Sequence, residues 1–154
     1  PCYQQPECGS DPQIWLVHLV SPSRYEDSRF KDLALKLASL NIGVICCPSA
    51  ALSMRQLRPR LSPTSNSIAR ILDLCAEGVH VRIGCDNIND VPSPAGTPDL
   101  VEELINLSNA LRFYDLDILA RLGTGQRLTL DERATVQNHL AANHSTVLEM
   151  TAEM

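Results

Sequence analysis

The amino-acid sequence predicts an α/β fold in which parallel strands alternate with helices. Three short apolar runs, at residues 14–20, 42–47 and 79–85, are nearly continuous, as expected of strands that are covered on both faces. Each run is followed by a stretch with helical spacing of its apolar residues. A strand followed by a helix, repeated three times, is the unit of parallel α/β folds. With 154 residues, of which 44% are hydrophobic, the chain can bury one core.

The first unit follows a polar lead over residues 1–13. Its strand, at 14–20, is interrupted near its end by His18. Ser23 and Glu26 have the spacing of a capping box, in which each side chain bonds the backbone N–H of the other residue. The sequence therefore predicts a helix over about residues 26–40.

The second unit begins with the strand at 42–47, which stops at Pro48 because proline cannot donate to a sheet ladder. A long loop is predicted from Pro48 to about Ser65. A helix follows, and Gly78 stands where a helix C-cap glycine belongs. Four residues form the apolar stripe of this helix: Ile68, Ile71, Leu72 and Cys75.

The third unit begins with the strand at 79–85. The run Thr97-Pro98-Asp99 predicts a helix start, with a cap, a proline at the first position and an acid at the positive end of the helix dipole. Thr129 and Glu132 form a second capping box and predict a last helix over 129–154. Residues 14–128 therefore hold three βα units.

Composition excludes several classes of protein. The net charge of −5 and the lack of a basic run longer than the Arg55, Arg58, Arg60 group argue against nucleic-acid binding. No apolar stretch reaches the roughly 20 residues needed to cross a bilayer. Cysteines within apolar runs indicate buried free thiols of a cytoplasmic protein. No Cys-x-x-Cys or His-x-x-x-His spacing occurs, so no structural zinc site is expected.

Two polar residues stand at equivalent places in the pattern. Asp86 is the first polar group after the third apolar run, and His18 lies near the end of the first. Side chains at the C-terminal ends of parallel strands face the crevice in which α/β enzymes bind ligands. The sequence therefore predicts that His18 and Asp86 face one cleft. The residues alone leave open that Asp86 only caps its loop and that His18 only packs in its strand.

The repeating units fit two architectures, a small doubly wound sheet or consecutive units of a (β/α)8 barrel. A complete barrel needs about 250 residues, so the chain can hold only a part of one. The run Gly84-Cys85-Asp86-Asn87-Ile88-Asn89-Asp90, followed by Pro94 and Gly96-Thr97, resembles the eighth-strand signature of the amidohydrolase superfamily, in its cytosine-deaminase-like and aminotriazine-hydrolase branch. His18 and Pro48, thirty residues apart, resemble the residues that end the sixth and seventh strands of that branch.

The resemblance covers about residues 14–112 and implies a fold. Residues 1–154 would form a single partial domain, the C-terminal part of a metal-dependent hydrolase (β/α)8 TIM barrel with about strands 6–8. Expected partners are the missing N-terminal half of the barrel or an oligomer partner, with no nucleic acid and no membrane. Asn87 and Pro92 stand where cytosine-specific members place a second acid and an aromatic residue, which implies a substrate other than cytosine.

The resemblance also implies an activity. Asp86 would ligate a divalent metal, zinc or iron, and take a proton from its bound water, while His18 would polarise the substrate. The reaction would be hydrolysis of a non-peptide C–N bond in a small heterocycle or cyclic amide. The other metal ligands would lie outside this chain, which alone would be inactive. The alternatives are a non-catalytic half-barrel that binds or scaffolds a partner, and a doubly wound nucleotide-binding domain, for which no glycine-rich motif is present.

Overall fold

A computed structural model describes residues 11–12, 14–53, 67–91 and 93–152 of the chain. The strands in these ranges are β1 (Ile14–Val17), β2 (Ile42–Cys46) and β3 (Val81–Ile83). The helices in these ranges are α1 (Asp27–Ser39), α2 (Pro48–Ser53), α3 (Ile71–Ala76), α4 (Leu100–Leu111), α5 (Leu116–Gly123) and α6 (Leu130–Ala152). In this part of the chain no helix has both the length and the apolar character of a membrane span.

The three strands form one parallel sheet with β2 in the centre. Val44 pairs with Leu16 of β1 on one side and with Val81 of β3 on the other. Because all three strands run in the same direction, their C-terminal ends meet at one edge of the sheet. The predicted α/β class and the parallel sheet are confirmed.

One face of the sheet is buried against the helices. Val44 and Val81 are 0% and 2% exposed and belong to the same apolar core as Phe30 of α1 and Leu107 of α4. Val44 and Val81 are paired across neighbouring strands, and paired residues point to the same side, so these two valines lie on one face of the sheet. Burial of each such side chain stabilises the fold by roughly 1.5–3 kcal/mol. The helix-facing side of the sheet is thus the centre of the core.

On the opposite face of the sheet, the described residues form a stack of two side chains. Trp15 lies over Gly43, and the Arg82 guanidinium stacks 4.5 Å from the centre of the indole ring. The indole Nε1 donates to the Pro12 carbonyl at 3.1 Å, which fixes the ring in place. Val17, beyond this stack, remains 52% exposed. This side is called the open face below.

Two expected boundaries in the first unit were wrong. β1 ends at Val17 and not at residue 20, because His18 and Leu19 adopt left-handed conformations with φ of 68° and 44°. Ser23 does not cap α1: it lies in a 3-10 turn, and the N-cap residue Glu26 makes no side-chain cap bond. The helix itself spans residues 27–39, close to the predicted 26–40.

The later units also differ in detail from the prediction. Pro48 opens a helix, α2, where a loop was expected, since proline fits the first turn of a helix; the rest of that loop, to about Ser65, lies outside the described residues. β3 spans 81–83 and is shorter than the predicted 79–85. Asp99, and not Thr97, caps α4, and its side chain accepts from the Val101 N–H.

Other local signals are confirmed. Gly78 follows α3 with φ of 85°, as expected of a C-cap glycine. The second capping box forms in both directions: the Glu132 carboxylate accepts from the Thr129 N–H at 2.7 Å, and the Thr129 hydroxyl accepts from the Glu132 N–H at 3.3 Å. Helix α5, which begins after the side-chain cap of Asp115, was not predicted.

Gly43→Ala should destabilise the fold, because the added Cβ would lie 2.5 Å from ring atoms of Trp15. The indole is held by Pro12 and Arg82 and cannot shift freely. We expect a loss of about 1–3 kcal/mol in the free energy of unfolding, measured by urea denaturation. Gly84→Ala is the control, since its Cβ would meet Ile45 at 3.2 Å, and a smaller loss is expected. Equal losses would contradict the Trp15–Gly43 contact.

Candidate functional site

His18 and Asp86 meet at the edge formed by the C-terminal ends of the strands. The backbone N–H of His18 donates to the Ile45 carbonyl of β2 at 2.9 Å, directly after β1. On the other side of β2, the Gly84 N–H donates to the Cys46 carbonyl at 2.9 Å and leads the chain to Asp86. The His18 Nε2 lies 3.5 Å from the Asp86 Oδ2. The structure thus brings together the two residues that the sequence places near the ends of the first and third apolar runs.

Both residues adopt a backbone conformation that side chains rarely permit. His18 has φ of 68° and Asp86 has φ of 57°, in the left-handed region. Such residues cost of order 1–3 kcal/mol each and are concentrated at functional sites. The left-handed residue comes directly after β1 in the case of His18 and three residues after β3 in the case of Asp86.

The contact between the two side chains is loose and partly open to solvent. A direct hydrogen bond measures about 2.7–3.2 Å, so a distance of 3.5 Å is a loose ion pair. The side chains are 29% and 34% exposed. The His18 Nδ1, by contrast, is buried and has no hydrogen-bond partner among the described residues. The imidazole therefore presents Nε2, and not Nδ1, to Asp86.

A buried thiol, that of Cys47, lies near Asp86. Cys47 directly follows β2, and burial raises the pKa of its thiol to about 11, with Asp86 and Glu103 adding to the effect. Burial also raises the pKa of Cys46 and of Cys75 to about 12. A thiol is a nucleophile or a metal ligand only as the thiolate. These three cysteines therefore stay neutral near pH 7, in agreement with the predicted buried free thiols.

Glu103 is a buried acid that the sequence analysis missed. It lies on α4, is 2% exposed, and accepts a hydrogen bond from the Ser49 N–H at 2.8 Å. Its position one helical turn before the buried Leu107 was the available signal, since residues four apart share a helix face. Its neighbour Glu102 is exposed. In the sequence, the two adjacent acids therefore resemble a pair of surface residues.

The loop that follows Asp86 is closed by its own contacts. The Asn89 N–H donates to the Gly96 carbonyl at 2.9 Å, and the Asp90 carboxylate accepts from the Ser93 N–H at 2.9 Å. A Cβ on Gly96 would lie 2.2 Å from the Asn87 carbonyl oxygen, so this position accepts only glycine without movement of the loop. Two residues of the predicted signature, Asp90 and Gly96, thus have structural roles. Pro92 lies outside the described residues.

The other histidines in the described ranges do not join the pair. His80 lies at the N-terminal end of β3, is 3% exposed, and its Nε2 contacts the Gly125 carbonyl at 2.8 Å. Burial lowers the pKa of His80. His139 packs edge-on against Phe113 at 4.9 Å, and His144 lies farther along the same helix.

The described residues do not fit a catalytic metal by themselves. In the described ranges, no group of three or more His, Cys, Asp and Glu side chains could hold a metal ion. A catalytic zinc ion takes about three protein ligands. His18 and Asp86 supply at most two, so any metal at this edge needs ligands from elsewhere.

Comparison with known proteins shows a likeness of fold. No protein-family model and no curated protein sequence matches the chain. The crystal structure of 5-methylcytosine deaminase from Klebsiella pneumoniae, liganded with 5-fluorocytosine, superposes with a TM-score of 0.61 at 19% identity. The match covers 73% of this chain and 28% of the deaminase chain. The small parallel sheet with its helices thus matches a piece of a deaminase fold, and the chain spans 28% of that deaminase's length.

The raised thiol pKa predicts a loss of stability in alkali. The folded pKa of Cys47, about 11, exceeds the ordinary value of 9.0, so the stabilisation is complete below pH 9.0 and is lost as the pH rises toward 11. Between these values the loss is at most about 1.4 kcal/mol per pH unit for this thiol. The difference in free energy of unfolding between the native chain and Cys47→Ala, measured by urea denaturation, should therefore decrease between about pH 8.5 and pH 10.5. An unchanged difference would contradict the assignment.

Proposed function

We propose that this chain forms about strands 6–8 of an amidohydrolase-type (β/α)8 barrel. The proposed activity is metal-dependent hydrolysis, as in a deaminase, of a non-peptide C–N bond in a small heterocycle or cyclic amide. The observation that carries the proposal is the contact between His18 and Asp86, 3.5 Å apart at the C-terminal edge of a parallel sheet. The likeness of this sheet and its helices to part of a deaminase supports the choice of reaction.

Each side chain has a distinct role in the proposed reaction. Hydrolytic deamination adds water to a ring carbon and releases ammonia. The Asp86 carboxylate accepts a proton from the attacking water and returns it to the leaving amine. The His18 Nε2–H donates a hydrogen bond to the substrate oxygen or ring nitrogen on which negative charge develops. Because Nε2 and Oδ2 are 3.5 Å apart, one bound ring can contact both groups.

The open face supports the proposal that further βα units complete a barrel. In a closed barrel this face is the packed interior, and each outer strand pairs with a neighbour. Here Val17 on the open face and Ile14 on the outer strand β1 are 52% and 39% exposed. We propose that the remaining units, from a segment outside these 154 residues or from a partner chain, cover these side chains. The same units would supply the metal ligands other than Asp86.

The 154-residue chain alone should bind a divalent metal weakly and hydrolyse nothing. Asp86 supplies one ligand, and no group of three ligands occurs in the described ranges. We expect calorimetric titration with zinc, and separately with ferrous iron, to give dissociation constants no tighter than micromolar. Tight stoichiometric binding would contradict the proposal that the remaining ligands lie outside this chain.

Asp86→Asn should abolish turnover in a complete protein that carries this chain. An amide can still bond the loop but cannot accept the proton of water, and such a loss costs on the order of 10² to 10⁴ in rate. His18→Asn should slow turnover less, because the group only polarises the substrate. Turnover is measured as ammonia release from a panel of aminopyrimidines, aminotriazines and cyclic amides, with bound metal determined on each variant.

Asp90→Asn is the matched control for Asp86→Asn. Asp90 lies in the same loop, is exposed, and caps the Ser93 N–H at 2.9 Å, a bond that asparagine retains. Its turnover should equal that of the native protein. Native turnover in Asp86→Asn would overturn the catalytic assignment. Failure of the native protein to hydrolyse any compound, with retention of a partner protein, would favour the non-catalytic half-barrel.

A further inference from the structure

Glu103 is a buried carboxylate without a charged partner in the part of the chain that the structure describes. Its side chain is 2% exposed, and it takes part in none of the ion pairs between described residues. Burial of an unpaired charge costs several kcal/mol unless hydrogen bonds compensate for it. Among the described residues, the one hydrogen bond to its carboxylate comes from the Ser49 N–H at 2.8 Å. So costly a group at the edge of the candidate site calls for a physical explanation.

Two side chains of α4 hold the same residue. Glu103 accepts from the Ser49 N–H, and Asn106, three residues farther along α4, donates its amide Nδ2 to the Ser49 hydroxyl at 2.9 Å. Residues three apart lie on one helix face. A hydrogen bond to a charged acceptor contributes more than a neutral one, so the Glu103 bond is the stronger of the two. Together they tie the first turn of α2, which directly follows the end of β2, to α4.

This turn lies between the two residues of the candidate site. β2 is the central strand, so its end separates His18, which follows β1, from Asp86, which follows β3. Cys47, the first residue after β2, is influenced by both acids: Asp86 and Glu103 each raise the pKa of its thiol beyond the effect of burial. Asp86 and Glu103 therefore lie near the same thiol.

We propose that Glu103 is a positioning residue that, through Ser49, fixes the turn after β2 and thereby sets the separation between His18 and Asp86. The inference rests on the proposed function only in treating His18 and Asp86 as the reacting groups. Glu103 itself touches neither of them in the hydrogen bonds and ion pairs of the described residues. Its effect on them is transmitted by the backbone of the turn.

The test uses the intact 154-residue chain and NMR, with no substrate or metal. In Glu103→Ala the Ser49 N–H loses its acceptor, and its hydrogen exchange should accelerate by about tenfold or more. The imidazole signals of His18 and the carboxylate carbon signal of Asp86 should shift in the same variant. Glu103→Gln keeps an oxygen that accepts the bond and should restore all three observables toward the native values.

Glu102→Ala is the matched control, because Glu102 is the adjacent acid on α4, is exposed, and bonds the Thr97 hydroxyl. It should leave the Ser49, His18 and Asp86 signals unchanged. Faster exchange at Ser49 with unchanged His18 and Asp86 signals in Glu103→Ala would overturn the proposal, because Glu103 would then be only a local anchor. Equal shifts in Glu102→Ala would also overturn it.

A second variant covers the case in which Glu103→Ala does not fold. Asn106→Ala removes the other bond to Ser49 and leaves the buried acid in place. It should shift the His18 and Asp86 signals in the same direction as Glu103→Ala, by less; unchanged signals would overturn the proposal. These NMR signals do not depend on turnover. Native activity in Asp86→Asn would therefore overturn the proposed function without changing the test of the positioning role of Glu103.

Discussion

The parallel pairing of β2 with both neighbours is the constraint on which the rest of the structure depends. Val44 lies between Leu16 and Val81 in one register, and Cys46 pairs with Ile83. Because this pairing aligns the three strands, the residues that follow them emerge at one edge. His18 and Asp86 are separated by a whole strand, yet their side chains come within 3.5 Å. If only one of the two pairings were antiparallel, β1 and β3 would run in opposite directions and these two groups would lie at opposite ends of the sheet.

Alignment alone does not bring the two side chains together, since both chains must also leave the sheet at the right point. The left-handed conformations of His18 and Asp86 make that departure, at a cost that the ladder must offset. The His18 N–H bond to Ile45 and the Gly84 N–H bond to Cys46 hold the chain up to the point of departure. The site therefore combines local strain with backbone bonds that fix its position.

The sequence predicted the features that depend on local pattern. The three apolar runs predicted three strands in their order along the chain. His18 lies near the end of the first run and Asp86 directly after the third, and these places predicted that the two side chains meet. Features decided by contacts distant in sequence were missed or wrong. Ser23 has the spacing of a cap but lies in a 3-10 turn, and Glu103 is buried only because α4 packs beside Ser49. No local sequence pattern predicts that Glu103 bonds Ser49, which lies 54 residues earlier in the chain.

The charges at the C-terminal edge of the sheet favour a cation. Asp86 has only His18 as an ion-pair partner within the described ranges, and Glu103 has none there. Both acids raise the pKa of the Cys47 thiol, beyond the larger effect of burial, and Cys47 directly follows the central strand. A divalent metal or the ammonium of a leaving group would be stabilised there, whereas a phosphate would be repelled. Electrostatics therefore agrees with the proposed reaction class and disfavours the nucleotide-binding alternative at this edge.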